Sequence, residues 1–427
     1  MIACGLDIGS TNVKAVLAGE DGRTLWVRSV ATPHVHDGLG TTTDATELMA
    51  LLEDLVIEGW RAVGGGKPLA AVSSAGIGED GVCANADLSS RGLVIAWHDK
   101  RAMAEVKLFR ERFDFTRVDF HSTAAKWMWM RQHRAAEIGG AKHWIALADY
   151  PTAVWCGEPF MSETLAARTG CYDLVNRCWS DEALAFAEAP PLPRLLKTGA
   201  IIGMAGPGRL RDAGVVSSAT RMVAGGHDHP IASSVILRLN DQARIDSLGT
   251  ANAIYGETRT AHPMIDDSLE TTIPAMCGPG LAVVGVTEFT LTLEKHFSRE
   301  AVRAQLALPR LPGAPDPQGD DEPSRIRRVL EQMALRGRNF LRGFDRAGVS
   351  RGTIYATGGW ARSTALMELR ASAFREPITV VDEPELVGFG AALLALEAAT
   401  GRTASFTPLG LQVIDPLGRW SEAYVGL

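Results

Sequence analysis

The sequence predicts an α/β protein of two domains built on one repeated plan, and three observations predict it. One short signature occurs twice, as Gly5-Leu6-Asp7-Ile8-Gly9-Ser10-Thr11-Asn12 at the start and as Ile245-Asp246-Ser247-Leu248-Gly249-Thr250-Ala251-Asn252 past the middle. Buried-looking strands repeatedly end in polar, Gly-containing clusters, which is where α/β proteins keep their sites. The 427 residues are enough for two domains of ordinary size, each with its own core. The boundary is expected near Leu239-Asn240-Asp241, giving domains of residues 1–239 and 240–427.

Taken in order, residues 2–6, 13–18 and 24–30 read as a three-strand meander, with Glu20-Asp21-Gly22 turning between the last two. An amphipathic helix follows over 45–62 and is closed by Gly64-Gly65-Gly66. The apolar run 69–75 reads as a buried strand that delivers Gly78-Glu79-Asp80-Gly81, and residues 92–96 as another, ending in Trp97-His98-Asp99-Lys100-Arg101. Residues 102–200 read as mainly helical, with Lys126-Trp127-Met128-Trp129-Met130 on a core-packing helix. A strand at 222–224 runs into Gly225-Gly226-His227-Asp228-His229-Pro230 and an apolar helix through Ile236. The second half repeats the plan with strands around 243–256 and 281–287, a long helix over 323–347, and a strand leading to Gly358-Gly359. The Pro-, Gly- and Asp-rich segment 311–323 is expected to be a mobile loop, and the tail 404–427 a return to β structure that packs back across the first domain.

Composition narrows the function. Hydrophobic content of 46% and charged content of 22% are those of a globular protein. A net charge of −7 argues against a nucleic-acid or anionic-membrane partner. No run approaches the roughly 18 apolar residues of a membrane span, and the first residues enter a strand directly instead of forming a secretory signal. Six cysteines without CxxC spacing read as reduced thiols, so a cytoplasmic protein is expected.

A turn rich in Gly and hydroxyl residues can aim several N–H and O–H groups at one phosphate. Asp7 in the middle of such a turn would repel that phosphate unless a cation stood between them, which suits Mg²⁺ held through water. Ordinary hairpin turns using Gly and Asn explain either copy taken alone. In Gly225-Gly226-His227-Asp228-His229, a carboxylate leading a helix can take a proton from an alcohol while the helix N-terminus keeps it ionised. An N-cap aspartate and a His227/His229 metal site are the competing readings. After the strand at Ala356-Thr357, Gly358-Gly359 lets a flat adenine and its ribose approach the backbone, and the small residues of Gly388-Phe389-Gly390-Ala391-Ala392 let their helix pack closely.

In this order and spacing, these segments resemble the FGGY family of carbohydrate kinases, within the sugar kinase, actin and heat-shock chaperone superfamily. The resemblance is carried by residues 5–14, 76–81, 97–101, 225–230, 246–252 and 358–392 and spans nearly the whole chain. It implies two ribonuclease-H-like (actin-like ATPase) domains closing on a central cleft, with the sugar mainly on the first and ATP mainly on the second. It implies Asp228 as the general base and Asp7 as the residue associated with Mg²⁺. Ser10, Thr11 and Asn12, with Lys14 at the end of that segment, would meet the transferred phosphoryl group, Gly249 and Thr250 the nucleotide phosphates, and Gly358, Gly359 and Trp360 the nucleoside. The sugar-binding pair falls on Glu79 and Asp80, the neighbour of the base on His229, and a further sugar-side segment on His98 and Asp99, which equally suit a structural role.

The chain departs from the family pattern at Trp360, where a small residue is usual, and at Val284-Gly285-Val286-Thr287-Glu288-Phe289, which replaces a Gly-rich segment. It is also shorter than many relatives. Two acids at the sugar wall disfavour a carboxylate-bearing substrate, so the expected acceptor is a neutral ketose, xylulose-, ribulose- or fuculose-like, or a small polyol. An actin-like ATP-driven switch and a catalytically silent sugar sensor are the alternatives. The resemblance admits a homodimer and leaves the oligomeric state open.

Overall fold

The structure, a computed structural model, describes residues 1–113, 118–249, 251–309, 311, 319–383, 385–408 and 410–424, apart from the side chain of Arg419. Thr250 and most of the expected loop at 311–323 therefore lie outside the described residues. The chain forms two compact units.

In the first unit, β1 (Ile2–Ile8), β2 (Asn12–Gly19) and β3 (Thr24–Ala31) form the antiparallel meander. Helix α1 (Ala45–Ala62) is N-capped by Asp44, whose side chain accepts from the Thr46 and Glu47 N–H groups, and buries Leu48, Leu52, Leu55 and Val56. Then β4 (Ala71–Gly76) adds parallel to β1, and β5 (Arg221–His227) parallel to β4. The order β3-β2-β1-β4-β5 is completed by an edge strand, Ile201–Met204. Between β4 and β5 lies α2 (Thr123–His133), and α3 (Asp228–Leu237) starts where β5 ends.

The second unit repeats this order. Strands β6 (Arg244–Leu248), β7 (Ala251–Thr258) and β8 (Leu281–Glu288) form the meander, helix α4 (Glu322–Arg346) crosses over, and β9 (Ile354–Thr357), helix α5 (Thr364–Phe374) and β10 (Ile378–Val381) follow. The sheet runs β8-β7-β6-β9-β10, with β9 and β10 parallel to β6 and short antiparallel strands at both edges. Each unit is thus the ribonuclease-H-like plan of an actin-like ATPase domain. Helix α4 buries Leu330, Phe340, Leu341 and Phe344. A Cβ at Gly285 would lie 2.4 Å from the Phe340 ring, so the glycine is what lets α4 lie on β8.

The last long helix, α6 (Leu386–Thr400), follows β10 in sequence but packs on β1 and β4 of the first unit, which also includes Ile273–Gly278. The reason is a backbone-to-backbone approach. A Cβ on Gly5 would stand 2.0 Å from the Gly388 carbonyl oxygen and 2.3 Å from the Ala392 nitrogen. With strand and helix this close, β1 is buried along nearly its whole length, its residues Ala3 to Ile8 included.

Two expectations need correcting. Residues 102–200 are less helical than predicted: helices such as Met103–Arg112, Tyr150–Cys156 and Asp181–Phe186 alternate with strands of two to four residues, among them His143–Ala146 and Phe160–Ser162. Strands so short carry no readable alternation. The tail is only partly β, with a strand at Leu411–Ile414 and a helix at Gly418–Ala423. Its start meets the first unit, where a Cβ on Gly22 would be 2.1 Å from the Ser405 oxygen; residues from Pro408 on belong to the second. All six cysteines are free, and no described helix is long and apolar enough to cross a membrane.

Candidate active site

Three strand ends create the site of the first unit. Ile8 of β1 pairs with Gly76 of β4, and Gly76 with His227 of β5, so the segments that follow each strand emerge at one edge of the sheet. They are the Gly9-Ser10-Thr11 turn, Gly78-Glu79-Asp80, and Asp228 at the head of α3. The first turn is held by its carbonyls: Thr32 donates its hydroxyl to Gly9 at 2.7 Å and its N–H to Thr11 at 3.0 Å, while the His34 ring meets the Ser10 oxygen. Thr11 is left exposed, and Ser10 and Asn12 half-buried.

The two glycines before Asp228 have separate tasks. A Cβ on Gly225 would stand 2.1 Å from the Ser74 oxygen of β4, so only glycine lets the strands meet there. Gly226 occupies φ +142 beside a bulge in the β4–β5 pairing, and its missing Cβ leaves room for the Thr164 hydroxyl, which accepts the His227 N–H at 3.0 Å. The bulge re-aims the chain, and Asp228 follows.

Asp228 lies 3.1 Å from His227 Nε2 and accepts the His229 N–H at 2.6 Å. Burial opposes its charge, but His229 and His227 outweigh it and hold the carboxyl below the usual range. Burial pushes the His227 ring down to about 4, so it is neutral at pH 7. Its Nε2–H then donates to Asp228, leaving Nδ1 as a buried acceptor without a partner. An ionised carboxylate at a strand end, oriented by a neutral imidazole, can accept a proton.

Beside it, Asp7 pairs with Lys14 at 3.1 Å, and Lys14 with Glu385 at 2.9 Å. Burial opposes the charge on Lys14, yet Asp7 and Glu385 outweigh it and raise its pKa. Asp7 is itself pushed up to about 6 by burial, and the nearby Asp228 adds to the rise. One lysine therefore faces Asp7 and Glu385, and Asp228 near Asp7 adds to a local excess of negative charge.

The remaining wall is buried and charge-matched. Glu79 takes Arg168 at 2.6 Å, which outweighs burial and holds its carboxyl low. Asp80 stands 3.8 Å from Lys126 Nζ, and both Asp80 Oδ1 and Lys126 Nζ lack a hydrogen-bond partner. Burial pushes Asp80 up to about 7 and lowers Lys126. His98, lowered by burial and by His34 and Lys126, borders this wall and packs edge-on to Trp97 at 5.5 Å. Asp99 turns away: its oxygens accept from the Arg101 N–H at 2.8 Å and guanidinium at 2.7 Å, and Arg101 also grips Asp37. His229 meets His227 edge-to-face at 5.7 Å.

Asp80 should be visible in pH profiles. Because its folded pKa lies above the ordinary carboxylate value, the native chain keeps a proton that the unfolded chain has lost between about pH 4 and 7. This group therefore removes stability as pH rises through that window. The melting temperature is expected to fall as pH rises through that window, and to lose this dependence in Asp80→Asn. An unchanged slope in that variant would assign the titration elsewhere.

In the second unit, Ser247 of β6 pairs with Thr357 of β9, so Gly249 and Gly358-Gly359 leave the sheet at the same edge. Gly358 has φ +92, and a Cβ there would be 2.4 Å from the Leu248 oxygen, whereas Gly359 faces open space. Trp360 is half-buried against Phe289 at 6.1 Å. Asp246, three residues before Gly249, is fully buried and spent on Arg370 at 2.7 and 2.9 Å.

Sequence reasoning missed Lys126, Arg168, His34, Glu385 and Thr290, and named His227 only as a candidate metal ligand rather than as the partner of Asp228. Only Lys126 carried a signal, as a lone cation inside an apolar, Trp-rich helix. The others meet the site through packing between segments distant in sequence.

The N-terminal domain of the FGGY family of carbohydrate kinases matches residues 2–234, and its C-terminal domain residues 294–399. A xylulose kinase of Klebsiella pneumoniae is 27% identical over 270 residues, 59% of this chain and 53% of that enzyme, so the match spans about half the relative's length. A xylulose kinase of Streptomyces coelicolor is 23% identical over 446 residues, 95% of this chain and 89% of that one. Among solved structures, xylulose kinase from Rhodospirillum rubrum has a TM-score of 0.86 at 21% identity, covering 99% of this chain and 96% of that one. Gluconate kinase from Lactobacillus acidophilus has 0.84 at 17%, covering 99% and 95%. These structural likenesses speak for the fold, and the two domain matches, in order and over most of the chain, show that this protein belongs to the FGGY family of carbohydrate kinases.

Proposed function

We propose that the protein transfers the γ-phosphoryl group of ATP to a hydroxyl of a neutral ketose of the xylulose or ribulose kind, or of a small polyol. The observation that carries this reading is the ionised, His227-oriented Asp228 beside buried polar atoms that lack partners: Asp80 Oδ1, Lys126 Nζ and His227 Nδ1. Hydroxyls both donate and accept, so one polyol can satisfy all three. The wall is near neutral, since Glu79 and Asp80 each face a cation. A carboxylate-bearing acceptor would add an unpaired charge to a buried place, at a cost of several kcal/mol.

In this reading Asp228 takes the proton from the attacking hydroxyl as the oxygen–phosphorus bond forms and the bond to the ADP oxygen breaks. Ser10, Thr11 and Asn12 receive the transferred group, Lys14 offsets its charge, and His229 with His98 borders the acceptor. Gly249, Thr250, Gly358, Gly359 and Trp360 hold the nucleotide. The excess of acids around Lys14 suits Mg²⁺ on Asp7, which would neutralise phosphate charge. Among the described residues no three His, Cys, Asp or Glu side chains could cage a metal, so water and phosphate oxygens would complete its shell.

The test is ADP release with Mg-ATP across xylulose, ribulose, fuculose, glycerol and gluconate. Lys126→Met is expected to raise the KM of the best acceptor by about 10- to 100-fold, the worth of a hydrogen bond to a charged group, with the ATP KM within twofold. Release independent of every acceptor would overturn the kinase reading, and preference for gluconate would overturn the neutral one.

A further inference from the structure

We infer that Trp360 is a positioning residue for the second phosphate turn, acting through Thr290, so that the nucleoside-side turn and the phosphate-side turn respond to nucleotide as one piece. The inference rests on the proposed nucleotide site of the second unit.

The indole Nε1–H of Trp360 donates to Thr290 Oγ1 at 3.0 Å, and the Thr290 hydroxyl donates to the Gly249 carbonyl oxygen at 3.0 Å. The direction of this relay is forced. An indole N–H can only donate and a carbonyl can only accept, so the single Thr290 hydrogen must point at Gly249. Gly249 is held from its other side too, because its N–H donates to the Ala251 oxygen at 2.9 Å.

A second contact joins the same two turns. Gly358, in its left-handed conformation, sits where a Cβ would be 2.4 Å from the Leu248 oxygen, so the residue before Gly249 is pressed by the residue before Gly359. The indole is fixed in turn by half-burial and by its tilted contact with Phe289 at 56°. Gly359, next to it, has no atom within 4 Å of a would-be Cβ. Ligand space thus adjoins a rigid aromatic whose polar edge is wired to the phosphate turn. A phenyl ring at 360 would keep the packing but release the Thr290 hydroxyl to rotate, and Gly249 would lose its orienting donor.

The distinguishing measurement is calorimetric titration of the full chain with Mg-ADP and, separately, with adenosine. Trp360→Phe and Thr290→Val are each expected to weaken ADP about five- to tenfold, the range of one net hydrogen bond, and Thr290→Val to weaken adenosine less than twofold. The double variant should be no weaker than either single one, and Thr290→Ser, which keeps the hydroxyl, should bind ADP within twofold of the parent chain. Equal losses of ADP and adenosine in Trp360→Phe would make the indole a stacking surface only and overturn the relay, as would additive losses in the double variant or a failure of Thr290→Ser to rescue. A parent chain that binds neither ligand would remove the nucleotide site and the relay together. A parent chain that binds ADP with all variants unaffected would remove the relay alone.

Discussion

Asp228→Asn is expected to lower acceptor-dependent phosphoryl transfer by about 10²- to 10⁴-fold, the usual contribution of a positioned general base. The carboxamide keeps the shape and can still accept the His227 N–H, so packing at the head of α3 is retained and only basicity is lost. Nucleotide binding, proposed for the second unit, should stay within about threefold by the same ADP titration. Because His229 and His227 hold the Asp228 carboxyl low, this carboxylate is ionised throughout the neutral range. The acid limb of the pH profile should therefore come from Asp80, not from Asp228. Near-normal turnover in Asp228→Asn would remove this residue from the role, and a parallel loss of ADP binding would point to misfolding instead.

The second large effect is on stability. Arg370→Met should destabilise the second unit by about 3–5 kcal/mol, because it leaves Asp246 charged and buried without its partner. Both side chains are fully buried, and Asn252 completes the knot by donating to Asp246 at 2.7 Å and accepting from Arg370 at 3.1 Å. For a unit of this size the melting transition should fall by roughly 10 °C. Adding Asp246→Asn to Arg370→Met should recover part of the loss, since the orphaned charge goes with it. Scanning calorimetry reads both; an unchanged transition in Arg370→Met would mean that the pair contributes nothing net.

This pair also shows where the repeat stops being a repeat. Counted back from the turn glycines, Asp7 matches Ser247, and Asp246, one residue earlier, is neutralised by Arg370 from α5, while Asp7 shares one lysine with Glu385 and feels the charge of Asp228. The chemistry that each turn can support differs because of partners far away in sequence.

Local patterns were legible wherever one segment carried the whole reason. The meander, helix α1, the strand before Gly358-Gly359 and the close-packing Gly388-Phe389-Gly390 helix follow from alternation, capping and small-residue spacing. The 102–200 region was not, because its strands of two to four residues are stabilised by partners in other segments rather than by their own period.

By itself the sequence determined the α/β class, the duplicated plan, and the turns that emerge from the ends of the strands, since backbone conformation there is dictated by Gly, Asp and hydroxyl residues in place. Tertiary structure alone decided which charges face one another: Arg168 on Glu79, Lys126 near Asp80, Glu385 on Lys14, Arg370 on Asp246. It also decided that α6 seals β1 of the first unit. The physical reason is that ionisation and hydrogen bonding in a buried site depend on distance and desolvation, and both arise only when segments separated in sequence are packed together.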